Sequence, residues 1–228
     1  MNFFEGVTLY IDKPYHMTSF NTLAHVRGML SRKMGVKKIK VGHAGTLDPL
    51  ATGVLILCTG RATKSIDKLQ AQTKEYIATL QLGATTPSFD MELPVDNTYP
   101  TEHITKELIE QTLLKFHGEI SQIPPQYSAC KVAGKRAYQM MRDGEEVKLK
   151  AKILRIDEIE LLGFDSEKMT MSIRVVCSKG TYIRALARDI GEALGSGAYL
   201  TELRRTRVGD VTVDQCLKLE DFQDWLDK

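Results

Sequence analysis

The chain has little of what would carry it into a membrane or an oxidising compartment. Its longest purely apolar run, Val54 to Cys58, is five residues, far short of the roughly 20 that cross a bilayer as a helix. Residues 1–13 include Glu5 and Asp12 and contain no apolar stretch of the kind a signal peptide needs, so a cytoplasmic protein is expected. Cys58, Cys130, Cys177 and Cys216 lie far apart with no CxxC pair, and the five histidines show no HExxH spacing; these absences argue against a disulfide framework and against a metal site. Repeats, low-complexity tracts and Gly/Ser linkers are also missing. What remains is 228 residues, 43% hydrophobic and 26% charged, enough apolar material for a sizeable core in one large or two small lobes.

A further absence is more telling. No acidic residue occurs between Asp12 and Asp48, yet that stretch holds Lys13, Arg27, Arg32, Lys33, Lys37, Lys38 and Lys40. The net charge of +2 conceals this polarisation, because acids such as Asp90, Glu92, Asp96, Glu102, Glu107 and Glu110 gather elsewhere. Basic residues recur at Lys131, Lys135 and Arg136, at Lys179, Arg184 and Arg188, and at Arg204, Arg205 and Arg207. Gathered on one side by folding, they would track a phosphate backbone; left scattered, they would be solvated faces.

Val7 to Ile11 reads as a strand, and Thr18 or Ser19 as the cap of a helix with Phe20, Leu23, Ala24 and Leu30 on its apolar stripe. Val54 to Cys58 reads as a buried strand, and Glu75 to Leu82 as a two-faced one. A helix follows from Thr105. Lys152 to Phe164 and Met169 to Cys177 predict an antiparallel pair, Thr181 opens another helix, Ala198 to Val208 reads as a strand, and Phe222 and Trp225 anchor a terminal helix. Strands dominate over regular strand-helix alternation, which predicts an α+β fold around a largely antiparallel sheet.

The run Gly42-His43-Ala44-Gly45-Thr46-Leu47-Asp48-Pro49-Leu50-Ala51-Thr52-Gly53 sets one carboxylate among glycines, directly after the basic stretch. Pro49 pushes Asp48 towards extended backbone and so gives the carboxylate a defined direction. Taken alone, a glycine-rich turn with one aspartate is also ordinary turn chemistry. Gly60 to Ser65 does not complete a phosphate loop, since no glycine stands immediately before its lysine.

That twelve-residue run resembles the catalytic motif of the bacterial tRNA pseudouridine synthase B family, often called TruB. The resemblance continues through Lys74 and Tyr76, through Ile123 to Ala129 with Lys131 and Gly134-Lys135-Arg136, through Cys177 to Arg184, and through Leu203-Arg204-Arg205. It implies a pseudouridine synthase fold, with a central mixed, mostly antiparallel sheet flanked by helices. It implies one catalytic domain over residues 1–228, with an RNA-clasping insertion at about 124–146. It implies isomerisation of uridine 55 in the T stem-loop of tRNA, with no metal or cofactor and with the protein acting as a monomer.

On the same resemblance Asp48 is the catalytic carboxylate, attacking C1′, attacking the ring or removing a sugar proton. Arg184 would pair with it, Tyr76 and Tyr182 would wall the base pocket, and Leu203 would floor it. His43 would enter the T loop, while Lys13 and Lys131 would hold phosphates. Two local departures stand out: the family's usual glycine after Lys13-Pro14 is absent from Tyr15-His16-Met17, and Phe89 and Met91-Glu92 alter the surroundings of Asp90. A C-terminal PUA domain, common in relatives, is expected to be lacking. A non-catalytic tRNA-folding module is the alternative reading, and a small-molecule hydrolase is a third that the basic stretch disfavours.

Overall fold

Thr18 starts the first helix as its position suggests: its backbone is extended and its Oγ1 accepts the Asn21 amide at 3.0 Å, satisfying a donor that the helix itself leaves orphaned. This helix, α1 (Ser19–Lys33), stops at Gly35, whose φ of 63° lets the Val36 amide reach back to the Ser31 carbonyl at 3.0 Å. Leu23, Val26, Met29 and Leu30 are buried, but Phe20 is 62% exposed. The expected stripe is corrected here by helix geometry, since the 3.6-residue repeat puts Phe20 about 90° away from the centre of Leu23, Val26 and Leu30.

The computed structural model describes residues 2–128, 131–132, 135–136, 140 and 149–228, which form two compact units: residues 1–76 with 203–228, and residues 77–202. In the first unit β1 (Thr8–Lys13) pairs antiparallel with β3 (Ala51–Thr59), Ile11 facing Leu55 across the register. On the other edge of β3 lie β2 (Val41–His43), antiparallel, and the end of β12 (Ala198–Val208), parallel with Leu203 opposite Ala51. β13 (Val211–Thr212) folds back on β12, and β14 (Leu217–Lys218) adds to β1 in parallel.

Nearly every residue of β3 is buried, as suits a strand covered on both faces. Alternation sends Leu55 and Leu57 into one core with Ile11, Leu23, Leu30 and Phe222, and Val54, Ile56 and Cys58 into another with Ala44 and Val208. The helix α5 (Phe222–Asp227) thus completes the core beneath α1; α2 (Ile66–Ala71) precedes the start of β4 (Lys74–Leu82).

In the second unit β4 lies between β12 and β11 (Thr170–Cys177), followed by β10 (Lys152–Asp165) and β7 (Gly118–Gln122). β10 and β11 form the expected antiparallel pair with bulges after Ile156 and Leu161, and β10 also pairs antiparallel with β7. Two small pairs, β5 (Ala84–Thr85) with β6 (Asn97–Thr98) and β8 (Lys131–Val132) with β9 (Lys135–Arg136), stand apart. The helix α3 (Lys106–Leu114) packs on β10 and against α4 (Ile183–Ala193); Ile109, Leu186 and Ile190 of these helices are buried, as are Leu80, Ile156 and Ile173 of the strands. The fold is therefore α+β with a mixed, mostly antiparallel sheet flanked by helices, as the sequence predicts. Most of the expected insertion at 124–146 lies outside the described residues.

Candidate active site

In the first unit the glycine-rich loop between β2 and β3 is held at both ends and in its middle. The Ala44 amide donates to Ile56 O at 2.9 Å and the Ala51 amide to Asp48 O at 3.1 Å. Between them, Ser19 of α1 makes a reciprocal pair with the Leu47 backbone: the Leu47 amide donates to Ser19 Oγ at 2.8 Å, and Ser19 Oγ–H donates to Leu47 O at 2.9 Å. Asp48 follows at once, half-buried, with Pro49 fixing its direction.

Beneath the loop runs the buried Arg205 side chain, whose Nε donates to Val54 O at 2.8 Å and whose guanidinium reaches Gly45 O at 3.2 Å. One buried cation thus joins the beginning of the loop to the strand that follows it. Gly53 is indispensable to this arrangement. Its φ is 104°, and a Cβ there would stand 2.1 Å from Arg205 O on the paired strand.

Lys13 has no exposed surface. Its ammonium donates to Pro14 O at 2.9 Å, to Met17 O and to Pro49 O at 3.4 Å. Burial lowers its pKa from 10.5 to about 8, a fall that the nearby Asp48 carboxylate partly opposes and the Arg205 charge reinforces. The expected phosphate contact at Lys13 is accordingly corrected: a fully enclosed ammonium tied to three carbonyls cannot track a backbone from the surface. It ties the turn at 14–17 to the glycine-rich loop and sets a positive charge near Asp48. In that turn His16 has a φ of 58°, and its ring lies against Tyr15 with centroids 4.1 Å apart.

His43 ends β2 at the mouth of the loop, partly buried, with Nδ1 enclosed and lacking a hydrogen-bonding partner among the described residues. Desolvation, then the Arg205 charge, lower its pKa below the usual 6.5, with the Gly45 backbone opposing, so the ring is neutral near pH 7. Leu203 faces Ala51 in register and shares a face of β12 with Arg205. Arg204 points the other way and holds Asp12 in two hydrogen bonds of 3.2 and 2.7 Å. Tyr76 is buried on β4, beside Glu75, which pairs with Thr206 and Arg207 of β12. The first unit thus brings Lys13, His43, Asp48 and Leu203 to one loop.

In the second unit Tyr182 caps α4, and its backbone is clamped by the buried Gln122 side chain: the Tyr182 amide donates to Oε1 at 2.9 Å, and Nε2 donates to Tyr182 O at 3.2 Å. Arg184, two residues on, is 5% exposed; its guanidinium donates to Ser88 O at 3.0 Å and Tyr127 O at 2.9 Å and lies 3.6 Å from the Asp90 carboxylate. Asp90 is itself buried, so despite its altered neighbours it serves to compensate a buried cation. The Lys131 side chain lies outside the described residues.

Sequence reasoning missed Arg205, Gln122 and the pairing partner of Asp90. An arginine in a strand and a glutamine at a strand end carry no signal of their own, whereas the Asp90 position was noted and its arginine was not.

Comparison with known proteins bears on this geometry. The model of the TruB family pseudouridylate synthase N-terminal domain matches residues 31–183, and that of the tRNA pseudouridylate synthase B C-terminal domain matches residues 184–228. The chain is 67% identical over its whole length to a tRNA pseudouridine synthase B of Phocaeicola vulgatus, covering 96% of that protein. It is 48% identical over 98% of its length to one from Flavobacterium johnsoniae, of which it covers 97%. Among solved structures, a chain from a Cbf5-Nop10-Gar1 complex superposes over 98% of this chain with a TM-score of 0.70 at 29% identity; this chain spans 55% of its length.

Proposed function

The chain belongs to the TruB family of pseudouridylate synthases, and from that membership we propose that it acts on the uridine at position 55 in the T stem-loop of tRNA. It is a tRNA pseudouridine synthase, an RNA-binding isomerase. The reaction breaks the bond from C1′ to N1 and forms one from C1′ to C5; C5 gives up its proton and N1 gains one, so that the product is an isomer of the substrate. Because the detached uracil must turn without escaping, the target nucleotide is flipped out of its loop into an enclosed pocket.

Asp48 is the catalytic residue in this reading, and the observation that carries it is the construction of its loop. Ser19, Arg205 and Lys13 each bind backbone on either side of that one carboxylate, the rigidity expected of a group whose direction matters. Arg184 is the partner this reading gives the Asp48 carboxylate, Tyr76 and Tyr182 contact the flipped base, and Leu203 floors the pocket. His43, neutral and with an unspent ring nitrogen, enters the space the base leaves. Lys131 contacts phosphate. Residues 1–228 serve as one catalytic domain, with the insertion at about 124–146 clasping the RNA, and the protein works as a cytoplasmic monomer.

Mapping pseudouridine in tRNA incubated with wild-type protein and with Asp48→Asn tests the assignment. Modification of the T-loop uridine is expected with wild type alone, while Asp48→Asn should still bind tRNA. Equal modification by both proteins would remove Asp48 from the mechanism, and modification at another position would overturn the substrate assignment.

A further inference from the structure

The basic stretch does more than precede the catalytic loop. Four of its seven cations, Arg27, Arg32, Lys37 and Lys38, line a single cleft of about 710 Å³ at the C-terminal half of α1 and the turn after it. The 3.6-residue repeat turns this side of α1 away from the face that carries Leu23, Val26 and Leu30. None of the four cations has an ion-pair partner among the described residues. Lys33, between them in sequence, differs: it is paired with Asp227 at 3.0 Å. Helix-dipole complementarity explains a cation such as Arg32 in the last turn. It does not explain Arg27 in the helix interior or Lys37 and Lys38 beyond its end.

Gly28 lies within the same cleft, inside the helix, where glycine is unfavourable relative to alanine. Other glycines in the unit have an evident reason within the chain: Gly53 has a strand pressed against it, and Gly35 has the positive φ of a helix cap. Gly28 has neither, for its φ is ordinary and an added Cβ would meet nothing within 4 Å. Nothing in the fold requires glycine at 28. A bare strip of helix between unpaired cations suits the close approach of a bulky anionic backbone.

We propose that this cleft is a second seat for the tRNA sugar-phosphate backbone, remote from the reacting nucleotide, with Arg27, Arg32, Lys37 and Lys38 contacting phosphates and Gly28 left bare so that the RNA can approach the helix. Charge complementarity selects the occupant: four unopposed cations face the polyanion that the enzyme must hold. Ser19, at the start of α1, touches the catalytic loop, so Gly28 to Arg32 stand about 15–20 Å further along the helix. At that distance the cleft serves affinity and orientation, and the chemistry at Asp48 proceeds without it. The proposal rests on the reading of the chain as a tRNA-modifying enzyme.

The test compares wild type, a quadruple Ala variant at Arg27, Arg32, Lys37 and Lys38, Gly28→Ala, and a control in which the exposed cations Arg61, Lys106 and Lys168 are changed to Ala. Measured are tRNA binding as a function of salt, the single-turnover rate of pseudouridine formation at saturating tRNA, and Tm. The quadruple variant should bind about tenfold or more weakly and lose about 3 from the slope of log affinity against log salt, with its saturated rate unchanged. The control should retain most of its affinity.

Gly28→Ala should raise Tm by about 2–4 °C through helix propensity while weakening tRNA binding. Wild-type affinity and salt slope in the quadruple variant would overturn the proposal, as would an equal loss in the control, which would mark the effect as one of net charge. A stabilised Gly28→Ala that binds as wild type would refute the role of Gly28. Failure of wild type to modify any tRNA would instead defeat the functional assignment itself.

Discussion

A single buried lysine shows how far a residue can be read before its surroundings are known. Lys13 looks like a phosphate ligand in the sequence because it opens the stretch without acids that runs to Asp48 and because the family resemblance gives it that role. Its enclosure depends on carbonyls contributed by Pro14, Met17 and Pro49, and no local pattern announces that convergence. Its functional consequence is measurable. With a pKa lowered to about 8, Lys13 loses its proton as pH rises through that value, and the positive charge beside Asp48 goes with it. The rate of pseudouridine formation should therefore fall on the alkaline side near pH 8, and Lys13→Arg, which stays charged, should move the fall to higher pH. A flat profile through pH 9 would show that this charge is irrelevant to the reaction. His16 makes the complementary point: the missing glycine was visible in the sequence, but the chain keeps the left-handed turn with histidine in it.

At the scale of elements, strands and caps were legible and close approaches were not. Thr18 and Thr105 cap helices where the sequence places helix starts, and the long pair β10 and β11 follows from two apolar segments around a polar turn. Both signals are local. The parallel pairing of β12 with β3 joins segments about 150 positions apart, and it explains why a side chain is excluded at position 53 and why Arg205 comes to lie under the glycine-rich loop. Gly53→Ala would force a side chain into the Arg205 carbonyl and demand a positive φ. It should cost about 3 kcal/mol or more, read as a lowered urea midpoint, and it should reduce activity more than an equally destabilising change far from the loop. Unaltered stability would mean that β3 and β12 do not approach as described.

For the whole molecule, family resemblance anticipated the chemistry, while the partition of the chain was visible only in three dimensions. The unit that carries Asp48 is assembled from residues 1–76 and 203–228, with Phe222 fully buried in the core that α1 covers. Phe222→Ala should accordingly cost about 3–5 kcal/mol, seen as a lower midpoint in urea, and a loss under 1 kcal/mol would contradict the packing. The same partition bears on biosynthesis. A ribosome must make all of residues 77–202 before it supplies the strand and helix that the opening segment awaits, a delay of roughly 6–25 s at ordinary elongation rates. Throughout that interval the nascent chain exposes an unfinished apolar surface for which chaperones can compete. The modifying activity should first appear only once residues 203–228 have been made and have emerged to complete that unit.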